Sequence, residues 1–358
     1  MSQLFYVMTM PGLETLALNE VRAKQPDAEQ VRFARGIALF RSSVSPAALL
    51  ELRTTEDVFF ALVHISGLQH GRDALRVLHS ATLHSDLEAA LIAWRRARHG
   101  RQPKTWRVVS QMNGSYDFRR IDAGESVTRA LHRCMPRGMH LVDDDADLEF
   151  WLWLSGGLAL VGVRLSDATM RHRHYKREHL PASLRPTVAA AMGWLARPTP
   201  QDVVLDPFCG AGTLLIERAL LTGYNELLGG DIREEAVAMT LRNARYASID
   251  AHIRVWDARS LPLDQASVTR ILTNLPFGKQ IGSHEQNKGL YATTLREFGR
   301  VLSSDGVLVS LTSEDRLWDT LLREQGWRTI KKVVLVILGQ PASIFVAERE
   351  RSGSIFVT

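Results

Sequence analysis

The sequence predicts an α/β protein whose second half is a doubly wound, mainly parallel sheet with an antiparallel strand near its end, preceded by an α+β region. Three observations predict it. From residue 183 onward, short apolar runs alternate regularly with helical patterns, as repeated strand–helix units do. The last two apolar runs, 333–338 and 343–348, are separated only by residues 339–342, too few for a parallel crossover, so one of the two runs antiparallel. The first 65 residues instead follow a β-α-β-β-α-β rhythm, which suggests a small ferredoxin-like α+β domain.

The elements follow in order. Residues 4–9 read as a strand and Pro11-Gly12 as a turn, and Leu13, Leu16, Ala17, Glu20 and Val21 share one helical face. Residues 31–40 read as a strand pair kinked near Gly36. Ser45-Pro46 offers an N-cap serine and a first-turn proline, predicting a helix. Residues 58–65 are apolar and β-branched, a further strand. Residues 71–98 are helical in pattern, 106–111 a strand, and 124–133 a helix with Gly138 at its exit. Residues 148–154 and 158–165 are strands joined by the turn pair Gly156-Gly157. Residues 169–182 form a basic linker. Beyond it, strands at 202–205, 227–230, 253–256, 268–273 and 307–311 alternate with helices at 188–195, 213–221, 234–247, 290–302 and 316–325.

Composition narrows the class. Hydrophobic residues make up 45% and the formal charge is only +5, which excludes disorder as the main state. No run approaches the ~18 apolar residues that span a bilayer, so no membrane partner is expected. The first residues lack the basic, apolar and small-residue order of an export signal. Cys134 and Cys209 cannot build a disulfide framework, no Cys/His cluster has zinc spacing, and a reducing cytoplasm is expected. Asp143, Asp144, Asp145 and Asp147 fall in one loop, where neighbouring oxygens rarely converge on an ion, so no metal is expected. The pI near 9.4 hints at a polyanion. Two clusters carry the charge: Arg95, Arg96, Arg98, Arg101, Lys104 and Arg107, then Arg171, His172, Arg173, His174, Lys176 and Arg177. Each alone fits a solvated face as well as a phosphate-binding patch.

The chemistry concentrates in the second half. Asp206-Pro207-Phe208-Cys209-Gly210-Ala211-Gly212-Thr213 lies between a strand and a helix, where open α/β sheets bind ligands. Gly210 and Gly212 let a ligand approach the main chain. Asp231 follows Gly212 by 19 residues, the spacing of a ribose-binding acid, though a helix N-cap would place it there as well. Asp257 ends the next strand and could accept an adenine amine or simply close a turn. Gly210-Ala211-Gly212-Thr213-Leu214-Leu215 lacks the third glycine of a dinucleotide loop. Asp206 repels a diphosphate and attracts an ammonium, which favours S-adenosylmethionine. At the end of the fourth strand, Asn274-Leu275-Pro276-Phe277 joins a side-chain amide, a carbonyl before a rigid proline and an aromatic ring. The Asn274 oxygen and the Leu275 carbonyl can accept both N–H bonds of a nucleobase amine, Pro276 locks the turn, and Phe277 can stack on the base.

This set resembles the class I methyltransferases that modify exocyclic amines. Asn274-Leu275-Pro276-Phe277-Gly278-Lys279-Gln280-Ile281-Gly282-Ser283 with Leu290-Tyr291, Leu184-Arg185-Pro186-Thr187, and Leu338-Gly339-Gln340-Pro341-Ala342-Ser343-Ile344 resemble the THUMP-containing tRNA guanine-N2-methyltransferases. Phe118-Arg119-Arg120 and the hairpin at 148–165 are similar to the THUMP part. The resemblance implies an N-terminal ferredoxin-like domain at 1–65, a THUMP RNA-binding domain at 66–168, a linker at 169–182 and a Rossmann-like methyltransferase domain at 183–358. It implies methylation of guanosine N2 in tRNA, at position 6 of the acceptor stem, with the THUMP part gripping the acceptor stem and 3′ end; a monomer is expected. Another tRNA position, 23S ribosomal RNA, or an inactive RNA-binding protein are the alternatives. The implied catalytic residues are Asn274, Leu275, Pro276 and Phe277. The implied cofactor contacts are Asp206, Pro207, Cys209, Gly210, Gly212, Thr213, Asp231, Ile232, Asp257, Ala258 and Asn274. Relatives often carry a second proline where this chain has Leu275, and tyrosine where it has Phe277; the carbonyl acceptor is kept and only a hydroxyl is lost.

Overall fold

The computed structural model describes residues 2–178, 183–276, 284–337 and 339–350. The chain divides into two compact units, one formed by residues 1–9 with 17–170, the other by residues 10–16 with 171–358.

In chain order the first elements are β1 (Gln3–Met8), α1 (Glu14–Lys24), β2 (Glu29–Ala34), β3 (Ile37–Ser42), β4 (Asp57–Ser66), α2 (Asp73–Leu83), α3 (Leu87–Ala97), β5 (Thr105–Asn113), α4 (Arg120–Cys134), β6 (His140–Leu141), β7 (Leu148–Ser155) and β8 (Leu158–Arg164). The eight strands form one sheet in the order β2-β3-β1-β4-β8-β7-β5-β6. The division expected at residue 65 therefore runs along a continuous sheet: β4 pairs with β8, Phe60 opposite Val163. Two local expectations are corrected. The helix expected after Ser45-Pro46 shrinks to a single 3-10 turn, Ala48–Glu51. The buried Glu20 carboxylate takes the N–H groups of Arg53 and Thr54 at 2.8 Å each, drawing the chain out straight. The single helical stretch expected over 71–98 is two helices, because Asp86 accepts the Ala89 N–H at 2.9 Å and caps a new start. The β7–β8 hairpin turns as expected, with positive φ at Gly156 and Gly157.

A row of alternating charge crosses this sheet. Asp57 on β4 binds Arg164 on β8 at 2.6 Å, Arg164 reaches Glu149 on β7 at 2.9 Å, and Arg107 on β5 joins Glu149 to Asp144. Elsewhere Asp147 holds Arg101 and Asp167 holds Arg98. Asp144 and Asp147 of the 143–147 loop thus take arginines, and half of the basic cluster at 95–107 is already paired.

The second unit comprises α5 (Pro186–Leu195), β9 (Val203–Asp206), α6 (Thr213–Ala219), β10 (Glu226–Asp231), α7 (Glu234–Tyr246), β11 (His252–Val255), β12 (Val268–Asn274), α8 (His284–Val301), β13 (Leu302–Thr312), α9 (Asp315–Glu324), β14 (Trp327–Ile337) and β15 (Gln340–Arg349). Its strand order is β11-β10-β9-β12-β13-β15-β14. The first five are parallel, and β15 pairs antiparallel with both β13 and β14. The order reverses between β9 and β12, so their carboxyl ends flank the crevice where such sheets bind ligands. One face buries Val188, Met192, Leu214, Leu272 and Ile344, the other Leu205, Ile271, Tyr291, Phe298 and Trp318. Residues 171–178, expected in a linker, pack into this unit: Tyr175 is buried and donates to Glu217 at 2.7 Å, which also binds Arg173 at 3.1 Å.

Candidate functional site

Four parallel strands deliver the site residues at their carboxyl ends: Asp206 from β9, Asp231 from β10, Asp257 just beyond β11, and Asn274 from β12. They line one cavity of about 400 Å³. Its wall includes Asp206, Pro207, Cys209, Gly210, Thr213, Asp231, Ile232, Asp257, Ala258, Asn274, Leu275 and Pro276, nearly the whole expected set. Gly212 does not line it. With φ of +77° it turns the chain into α6, and a Cβ there would stand 2.7 Å from Thr240 Cγ2. Phe277 and the stretch to Ser283 lie outside the described residues, as does Leu338.

The three acids are held differently. Asp206 is 2% exposed and accepts only the Phe208 N–H, at 3.2 Å, among the described residues. Burial, reinforced by nearby Asp231, pushes its carboxyl up to about 8. Asp231 accepts the Gly210 N–H at 3.2 Å on one oxygen and the Arg233 N–H at 3.1 Å on the other, with Arg233 Nε at 3.3 Å. It thereby serves the glycine loop and the start of α7 together. Asp257 is chelated by Arg259, Nε at 2.9 Å and one terminal nitrogen at 2.6 Å, which holds its carboxyl below the usual range. Both acids sit in Asp-x-Arg triplets, and both arginines are half-exposed on the cavity rim.

At the fourth strand end the Asn274 side-chain oxygen is buried and has no hydrogen-bond partner among the described residues. A buried carbonyl left so costs about 1–3 kcal/mol, a deficit that a ligand N–H removes. The turn behind it is rigid: the Leu275 N–H donates to Leu311 O at 3.0 Å, and the Pro276 carbonyl accepts the Tyr291 hydroxyl at 2.7 Å. Burial pushes that hydroxyl up to about 12, so it stays a donor. Cys209 is buried and its thiol is driven further up by burial and by Asp206, which makes it a packing residue rather than a nucleophile.

Sequence reasoning missed the residues that hold this frame. Trp256 donates its indole N–H to the Pro207 carbonyl at 3.3 Å, and a Cβ on Gly230 would stand 2.2 Å from its ring. Thr240 and Asn243 on α7 hold the carbonyls of Gly210 and Ala211 at 2.8 and 2.9 Å. The repeated Asp-x-Arg and the pair Gly229-Gly230 were visible signals; the two α7 residues had none, because only the packing of α7 brings them under the loop.

The family model described as RMKL-like, methyltransferase domain (UPF0020) matches residues 173–340. The tRNA (guanine(6)-N(2))-methyltransferase THUMP3 of Mus musculus is 32% identical over 219 residues, 57% of this chain and 43% of that protein, so the chain spans less than half of its length. The tRNA (guanine(6)-N2)-methyltransferase of Thermus thermophilus is 31% identical over 313 residues, covering 85% of this chain and 87% of the relative. The crystal structure of TrmN from Thermus thermophilus matches with a TM-score of 0.80 and 26% identity, over 97% of this chain and 100% of that one.

Proposed function

The chain belongs to the tRNA guanine-N2-methyltransferase family, and we propose that it transfers the methyl group of S-adenosylmethionine to N2 of guanosine 6 in the acceptor stem of tRNA. The observation that carries the chemistry is the buried Asn274 oxygen, unpartnered among the described residues, in the wall of a cavity that buried Asp206 also lines.

The donor set fits the cofactor. A buried carboxyl whose proton is held to about 8 is stabilised by a cation, and the ammonium of the methionine part supplies one. Asp231 offers its carboxylate to the ribose hydroxyls and Asp257 to the adenine amine, each exchanging its exposed arginine contact for the ligand. When bound, S-adenosylmethionine supplies an electrophilic methyl on its sulfonium. The protein's own part is positioning. A guanine amine is a weak nucleophile because its lone pair is delocalised into the ring. The Asn274 oxygen and the Leu275 carbonyl would accept its two N–H bonds and turn the lone pair toward the methyl group. The Tyr291 bond to Pro276 keeps that turn from shifting. Proton loss follows attack, so no strong base is needed. The target base lies in a duplex stem and would be flipped out to reach this turn, where Phe277 would stack on it.

The first unit would grip the acceptor stem and 3′ end, with residues 66–168 acting as the THUMP part. With Arg98, Arg101 and Arg107 bound to acids, the remaining residues of that cluster are half-buried Arg95 and exposed Arg96 and Lys104, and the two exposed ones would meet phosphates first. The free thiols Cys134 and Cys209 suit action in the cytoplasm; the protein would act as a monomer.

The test uses purified protein, labelled S-adenosylmethionine and unmodified tRNA transcripts, with nucleoside analysis of the product. N2-methylguanosine is expected from a transcript with guanosine at position 6 and none from one with adenosine there. Methylation surviving that change would move the target elsewhere in tRNA. No transfer to any tRNA, with cofactor binding intact, would overturn the tRNA substrate.

A further inference from the structure

One carboxamide in the second unit joins two segments that are distant in sequence. Asn243 sits on α7 and is fully buried. Its Nδ2 donates to the Ala211 carbonyl at 2.9 Å, in the turn between Gly210 and Gly212, and to the Glu178 carbonyl at 3.0 Å. Its Oδ1 accepts the Glu178 N–H at 3.3 Å. Both donors and the acceptor of the side chain are thus used, and each bond reaches a main-chain atom. One turn earlier, Thr240 holds the Gly210 carbonyl at 2.8 Å and packs under Gly212. The carbonyls of the loop are therefore tied down on the α7 side, away from the cavity that Gly210 and Ala211 line.

The other end of the clamp is the basic stretch 171–178. Around Glu178 it is held to the same helix at two further points: Arg242 binds the Glu178 carboxylate at 2.6 Å, and the Arg177 guanidinium lies 4.2 Å from the centre of the Tyr246 ring. Lys176 donates its ammonium to the carbonyl of Leu184, which lines the cavity. The stretch rich in phosphate-seeking charge and the loop that would carry the cofactor thus share one buried side chain.

Resting on the proposed methyl transfer, we propose that Asn243 is a positioning residue that couples the cofactor loop to the basic 171–178 stretch, so that cofactor binding steadies that stretch and loss of the clamp weakens cofactor binding. The coupling is reciprocal by necessity: whatever Asn243 adds to the loop when cofactor is bound, the cofactor returns to the stretch. Thr240 serves the loop alone, since its bonds go to Gly210 and Cys209.

The experiment measures S-adenosylhomocysteine affinity by calorimetry and tryptic cleavage after Lys176 and Arg177 by mass spectrometry, in the full chain. In the wild type, saturating S-adenosylhomocysteine is expected to slow cleavage at these two bonds at least threefold. Asn243→Ala is expected to weaken binding at least tenfold and to abolish the protection even at saturation. Asn243→Asp keeps the shape but turns an acceptor toward two carbonyls, and is expected to lose at least as much. Thr240→Val is expected to weaken binding while keeping the protection, which a general loosening of the fold would not do. Wild-type protein that binds S-adenosylhomocysteine with no change in cleavage would overturn the coupling while leaving the methyl-transfer proposal standing, and this arm needs no variant to fold. Unchanged affinity in Asn243→Ala would overturn it as well. Failure of the wild type to bind S-adenosylhomocysteine at all would sink both.

Discussion

The charge row on the sheet of the first unit and the strand ends of the second unit use the same residue types to opposite effect. Asp57, Arg164, Glu149, Arg107 and Asp144 alternate in sign across β4, β8, β7 and β5, and each charge meets its opposite. Hydrogen bonds from Arg164, Arg107 and Trp151 outweigh burial at Glu149 and hold its carboxyl below the usual range. At the strand ends of the second unit, Asp206 is as deeply buried as Asp57 but meets no cation among the described residues, and its carboxyl is pushed up to about 8. Asn274, on the same cavity wall, has a buried oxygen with no partner among the described residues. A saturated row stabilises the fold; an unsaturated set stores a deficit that a ligand relieves.

The sharpest way to break this contrast is Arg164→Ala. It removes the guanidinium from buried Asp57 and from Glu149, and should cost about 3–5 kcal/mol of stability by urea unfolding while leaving S-adenosylhomocysteine affinity unchanged. The opposite result, a stable protein that binds poorly, would mean that the row serves ligand binding. Asn274→Ala should do the reverse. Methyl transfer should fall about 100- to 1,000-fold, with the melting temperature held, because it deletes an acceptor that no described protein group uses.

Tyr291→Phe tests how far the rigidity of the turn matters. It removes the bond to the Pro276 carbonyl, worth about 1 kcal/mol, so kcat should drop roughly fivefold with cofactor affinity unchanged. Asp206 gives a pH signature. Below pH 4 its carboxyl is protonated in both folded and unfolded protein. Between pH 4 and about 8 the unfolded chain ionises while the folded one keeps its proton, so its contribution lowers stability as pH rises through that window. Asp206→Asn should flatten this part of the stability profile. In the wild type near pH 7, binding of S-adenosylhomocysteine should release a proton, read as calorimetric heats that depend on buffer ionisation enthalpy, and Asp206→Asn should abolish the release. The smallest change is expected from Asp144→Ala at the exposed end of the row, within about 1 kcal/mol and reduced further by salt.

Much of this was legible along the chain. The alternation of strands and helices after residue 183, the Gly156-Gly157 hairpin and the antiparallel final strand follow from periods of two and 3.6 residues and from loop lengths, all local. The site residues were legible for the same reason, since a βα loop always follows its strand and four such loops end at one edge of the sheet. The failures were local rules overruled at a distance. Ser45-Pro46 has the start of a helix, and Glu20, 33 residues upstream of Arg53, captures the N–H groups that follow. The basic cluster at 95–107 looked free because its acids are more than 35 residues away, on β7 and in the loops before it and after β8.

By itself, then, the sequence determined most of the strands and helices, though not the turn after Ser45-Pro46 or the break at Asp86, and which side chains stand at the carboxyl ends of β9, β10, β11 and β12, because backbone sterics and hydrophobic periodicity act within a few residues. Only the tertiary structure decided that β4 and β8 join one sheet, that half of the first basic cluster is paired with acids, that burial pushes the Asp206 carboxyl up, and that Asn243 ties Ala211 to Glu178. Desolvation and charge pairing depend on which groups are packed together, and that is set by contacts across the fold rather than along the chain.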